Sequence, residues 1–380
     1  MRRRERPSLR SSWVAPGGCI APSLAAHARL AAESAGAKLS AHRGGGVGTP
    51  RWAKIHMMTR QLCIAALLHI RVSDSLGRGE RLGEDIFLTN DAETIKKLIT
   101  PTMLRAFGGL EMVALAEAGI AAYRLAELPG PPSREGAERA VLEFLLDLRK
   151  FQVALWLVCD NAASIERAFL EWPHRGRNPI ASTNDWDALC TTASGTRDIA
   201  TFTREEFRTA RKLHGTLWAK EDVGQFRAGE PTEPTSKRFS RALYFLQGAR
   251  RSAALSIKVA EFCSAFEALL STDSSELSHK LAERLAWIVA PSPDARFALF
   301  RRLKTAYSIR STAVHGATLT QKKIEAELQA AARDCDDLLR QLFLKIGERP
   351  DLRRLYIESE AKVEDLEAAL VRITLGVTGS

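Results

Sequence analysis

Residues 255–270 read Leu255-Ser256-Ile257-Lys258-Val259-Ala260-Glu261-Phe262-Cys263-Ser264-Ala265-Phe266-Glu267-Ala268-Leu269-Leu270. Leu255, Val259, Phe262, Phe266 and Leu269 recur at four-and-three spacing, which gathers them on one face of an α-helix. The neighbouring sequence repeats the pattern. Leu281, Leu285 and Ile288 make a second stripe. Leu299, Leu303 and Ala306 begin a third, with Gly316 placed as its C-cap. Ile324, Leu328, Ala331, Cys335, Leu338, Leu342 and Ile346 make the longest. Successive amphipathic helices with short connections predict a helical bundle over residues 238–348. A further helix is expected near Ser359–Val371, within a C-terminal segment 349–380.

Upstream the pattern changes. Gly229, Pro231 and Pro234 punctuate 221–237, the best candidate for a boundary. Residues 57–230 read as an α+β domain of unknown role. Cys63–Val72 and Asp85–Thr89, separated by Gly77, Gly79 and Gly83, predict a β-hairpin. Asn90 is placed as the cap of a short helix through Ile95 and Leu98. Phe107–Leu128 fits helix and strand equally. After the break at Pro129–Pro132, Ala137–Cys159 predicts a long helix, which Asp160-Asn161 either ends or follows as the cap of the next helix. Residues 173–200 read as loop-rich. Thr203–Lys220 predicts a helix whose Thr203 and Glu206 form a capping box. The expected fold is therefore mainly α, a helical bundle preceded by an α+β domain.

The chain has 380 residues and a net charge of +10. Residues 1–56 hold ten Arg and Lys against two Glu, a surplus of eight, so only two of the +10 belong to the remainder. Bulk charge is thus no evidence for nucleic-acid binding by the folded part. The Arg-, Ala- and Gly-rich segment 1–56 lacks apolar periodicity and reads as a disordered basic tail. Its composition also fits a transit peptide, or an over-extended gene start ahead of Met57-Met58. No apolar run reaches the roughly 18–20 residues of a membrane span; Cys63–Leu68 and Val153–Val158 are far shorter. Six cysteines are scattered without C-x-x-C spacing, which argues against structural zinc and for free thiols in the cytoplasm.

The sequence has no nucleophile elbow, P-loop, zincin motif or dinucleotide fingerprint, and no cofactor is expected. Arg310-Ser311-Thr312-Ala313-Val314-His315 remains. An imidazole can move protons near neutral pH, and a guanidinium can hold a phosphate and neutralise charge developing on it. Together they can cleave RNA without metal, with the ribose 2′-hydroxyl as nucleophile. Spacing alone is weak evidence, since 40 Arg and 8 His give about 0.8 chance matches, and Arg51 with His56 is one such match.

Context supplies more. Four blocks occur in order on successive predicted helices: Arg241-Ala242-Leu243-Tyr244-Phe245, Ala265-Phe266-Glu267-Ala268-Leu269-Leu270, Leu277 to Ala286, and Tyr307 to Gly316. Over residues 238–316 the chain resembles the HEPN superfamily, specifically its Apea-like branch. The resemblance implies an all-α, usually dimeric module, either a metal-independent endoribonuclease or an RNA-binding unit of prokaryotic defence and toxin systems. The family's R-x4–6-H motif falls on Arg310 and His315, with Glu267, Ser311 and Tyr307 as supporting residues. Ser311 stands where nuclease members often carry Asn, Asp or His. The implied partners are RNA and a second copy of the bundle. The alternative is a non-catalytic HEPN module binding RNA, nucleotide or protein.

Five residues along a helix turn about 500°, leaving Arg310 and His315 about 140° apart. Either the helix frays near Gly316, or the pairs meet across a two-fold dimer. The plain structural alternatives are His315 as a C-terminal helix cap and Arg310 as partner of an otherwise buried Glu267.

Overall fold

The computed structural model describes residues 58–129, 133–173, 179–185, 189–217, 237–273, 276–314, 321–358 and 361–377. The expectations for 1–56, for the 221–236 part of the boundary and for His315 and Gly316 fall outside the described residues. The described residues all belong to one compact unit.

Strand β1 (Met58–Leu67) shows why a sheet forms at all. Cys63, Ala65 and Leu67 enter one core, while Leu62 and Ile64 enter another on the opposite face. A strand buried on both faces needs partners on both edges. β1 accordingly pairs with β5 (Ile120–Pro129) and β6 (Arg167–Trp172), both antiparallel. The full sheet runs β3-β4-β5-β1-β6-β7, with β3 at Glu80–Leu82, β4 at Ile86–Thr89 and β7 at Ile180–Asp185. A separate parallel pair joins β2 (Ile70–Val72) to β8 (Ala200–Phe202). The expected hairpin between 63–72 and 85–89 is therefore corrected. Gly83, at φ +69°, turns β3 into β4, whose other neighbour is β5.

Helices α1 (Ala92–Leu98), α2 (Pro101–Phe107) and α3 (Gly109–Ala116) cover one face of the sheet through Met103, Met112 and Leu115. The cap of α1 is Asp91, whose carboxylate accepts from the Thr94 amide at 2.9 Å. Asn90 is instead held by the 74–76 loop, accepting from Leu76 N and donating to Asp74 O. Gly108, at φ +94°, breaks Phe107–Leu128 into helix, helix and strand.

On the other face lies α4 (Arg134–Val158). From Phe144 to Leu157 none of its residues is exposed, whereas its first turns carry exposed Arg134, Glu135, Glu138 and Arg139. Phe144, Leu148, Phe151 and Leu155 pack on the sheet, whereas Leu146, Val153, Trp156 and Leu157 enter the core of the bundle. α5 (Arg204–Leu217) packs beside it with the capping box formed: Thr203 N donates to Glu206 at 2.8 Å, and Glu206 N to Thr203 Oγ at 3.2 Å.

The C-terminal helices are α6 (Arg238–Arg251), α7 (Leu255–Leu270), α8 (Leu277–Val289), α9 (Pro293–Val314) and α10 (Gln321–Glu348). The predicted stripes are their buried faces, including Val259, Phe262, Phe266, Leu281, Leu303, Cys335 and Leu342. A short α11 (Pro350–Arg353) continues into a π-helical turn, Arg354–Glu358, and α12 (Val363–Thr374) follows. Arg284 fastens α12 to α8 by an ion pair with Glu367 at 2.6 Å. The described residues thus form a mainly helical protein with an antiparallel sheet, and none of their helices is long and apolar enough to cross a membrane.

Candidate functional site

α7 carries Glu267 on the edge that faces α9. Four residues before it, the Cys263 carbonyl lies on the same edge. α9 presents Tyr307 and, one turn further on, Arg310. Arg310 Nη1 donates to Glu267 Oε1 at 2.6 Å. The Tyr307 hydroxyl lies 3.3 Å from the same oxygen and 3.2 Å from Cys263 O, donating between them. The Arg310 guanidinium sits 5.8 Å from the centre of the Tyr307 ring. Burial pushes the Tyr307 phenol far above its ordinary range, so it stays a neutral donor at working pH.

Three of the five expected residues therefore converge. The side chains of Arg310 and Glu267 are 31% and 25% exposed, so the pair sits at the surface of the bundle rather than in its core. Charge-assisted bonds of this kind are short and directional. They orient the guanidinium while leaving other N–H donors for a ligand, since the fork carries five. Ser311 is exposed on α9, one residue on and about 100° round the helix, and does not join the cluster. His315 lies outside the described residues. Among the described residues, no three His, Cys, Asp or Glu side chains are grouped to hold a metal ion.

A second polar cluster has almost no signature in the sequence. Lys258 is fully buried on α7, and its Nζ donates to Thr191 Oγ at 3.0 Å and to Ala249 O at 2.6 Å. Buried Arg250 donates to Asn161 O and Oδ1, and Thr191 N donates to Arg250 O. Asp336 of α10 is buried too, accepting from the Trp156 indole at 2.7 Å and from Arg340 at 2.9 Å. Burial, with the Arg250 charge adding to it, lowers the Lys258 ammonium to about 8. Burial, then Asp160, raises the Asp336 carboxyl to about 6. Asp160-Asn161 follows the end of α4, whose C-cap is Cys159, and caps no helix among the described residues. Asp160 accepts from Ala193 N, and Asn161 holds the turn from α4 toward β6. This cluster binds the 189–199 segment to the bundle. Its one signal in the sequence is Lys258, a cation among the apolar residues of the 255–270 stretch.

Comparison with protein-family models, with curated proteins and with solved structures finds no match.

Proposed function

We propose that residues 238–348 form a HEPN-type endoribonuclease that works as a homodimer in the cytoplasm, within a prokaryotic defence or toxin system. The observation that carries this reading is the meeting of Arg310, Glu267 and Tyr307, which come from two separate blocks of the HEPN-like pattern. In this reading Glu267 and Tyr307 position Arg310, and its free N–H edge holds the scissile phosphate. His315 manages the proton of the 2′-hydroxyl or of the leaving 5′-oxygen. The 2′-oxygen bonds to phosphorus as the 5′-oxygen leaves, giving a 2′,3′-cyclic phosphate and a 5′-hydroxyl. No divalent metal takes part. Residues 57–230 then serve as a sensing or positioning part.

The same ion pair also favours a second reading. A guanidinium already neutralised by Glu267 offers a phosphate less charge, which fits a non-catalytic module binding RNA, nucleotide or protein. RNA cleavage in EDTA, with denaturant melts in parallel, separates the two. The nuclease reading expects Arg310→Ala and His315→Ala each to lose about 10²–10³-fold or more in rate. It expects Arg310→Ala to cost no more than about 1–2 kcal/mol in stability, since Tyr307 still bonds Glu267. Wild type inactive on every RNA, with Arg310→Ala losing about 3–5 kcal/mol, supports the non-catalytic module instead.

A further inference from the structure

α6 and α7 run antiparallel, joined by residues 252–254. At the end near this turn, Glu261 of α7 lies over Gly248 of α6, its Oε2 only 2.9 Å from where a Cβ on Gly248 would stand. Glu261 is half-buried and makes no hydrogen bond or ion pair among the described residues, and burial raises its carboxyl above the ordinary range. Arg241 lies seven residues before Gly248, nearly on the same face of α6 and roughly 10 Å along its axis. Its Nε is buried and unpartnered, and the side chain forms no ion pair among the described residues. Tyr244 lies between, 39% exposed and propped edge-on by Phe245 at 5.6 Å.

An acid and a base two helical turns apart on one rigid hairpin cannot reach each other. Each nevertheless bears a desolvation cost that a counter-ion would offset. A two-fold axis beside Tyr244 turns the hairpin end for end, laying each Glu261 on the other Arg241. In such an isologous interface, if residue i meets j, then j meets i. We propose that this face of α6 and α7 binds a second copy of itself through two crossed Glu261–Arg241 ion pairs, with the two Tyr244 rings at the axis. The proposal rests on the homodimer reading above and assigns its surface. Glu261 disfavours a nucleic acid here, since it would confront the phosphates. Glu267 is about 120° round α7 from Glu261, so the Arg310 cluster stays beside the interface rather than under it.

Light scattering at micromolar concentration should report twice the 41.9 kDa of one chain. Glu261→Arg and Arg241→Glu each set like charges together at two symmetric places, and each should weaken the dimer on the order of 10²-fold or more. The double swap should restore it. Far-UV circular dichroism reports whether each variant folds. Should Arg241→Glu fail to fold, Tyr244→Cys decides, because a residue on the axis should crosslink to its own copy under mild oxidation while wild type does not. A monomeric wild type, single swaps that leave the dimer intact, or a Tyr244→Cys protein that does not crosslink would each overturn the proposal. RNA cleavage on the same samples keeps the two readings apart. A swap-sensitive dimer without nuclease activity retains the interface and removes the nuclease; an active nuclease indifferent to the swaps does the reverse.

Discussion

His214 of α5 packs edge-on against Phe151, inside the wedge between α5 and α4. Burial, then the nearby Lys150 charge, lowers its imidazole to about 4 from an ordinary 6.5. Between pH 4 and 6.5 the unfolded chain holds a proton there that the folded chain lacks. The contribution of His214 is therefore complete above about pH 6.5 and is lost as pH falls toward 4. Asp336 acts oppositely over part of that window, since its carboxyl is raised to about 6. Comparison with His214→Gln isolates the histidine. Urea midpoints of wild type should fall more steeply from pH 7 to pH 4.5 than those of the variant; parallel profiles would place His214 in contact with water. Nothing local in the sequence marks this histidine as buried. Arg310 and Glu267 are different, because a lone acid among Phe266, Leu269 and Leu270 demands a partner, and Arg310 provides it at 2.6 Å.

Elements are readable where a single helical period rules. Where their residues are described, the predicted bundle stripes lie on buried or half-buried helix faces, because a 3.6-residue period appears only when one side of a helix packs. The long helix expected at 137–159 is α4, three residues longer at its start, where Ser133 caps it through Gly136 N. Strand pairing is not readable. β1 bonds to β5, more than fifty residues away, through an in-register ladder that no local pattern specifies. The Thr203–Glu206 box is a local signal that the fold keeps, and it can be tested by itself. α5 also ties itself to the β3 strand, with Arg204 and Arg211 both on Glu80. Thr203→Ala should cost about 1 kcal/mol, read as a lower urea midpoint with unchanged slope. No shift in the midpoint would mean that these tertiary ties alone define the start of α5.

At the scale of the molecule, α4 belongs to the sheet core and the bundle core together, and Lys258, Arg250 and Asp336 lie buried where the two halves meet. Neither half can open there without exposing apolar surface and unpaired charge. Intrinsic tryptophan fluorescence and far-UV circular dichroism should therefore trace one coincident denaturation curve; separate midpoints would show that the halves unfold independently. The central claim is that the Arg310 cluster works on RNA. Its most direct test is end-group analysis of RNA incubated with purified wild type in EDTA, beside Arg310→Ala and His315→Ala. The predicted result is 2′,3′-cyclic phosphate ends from wild type and none above background from either variant. Equal cleavage by all three proteins, or no cyclic ends from wild type on any RNA, would contradict it.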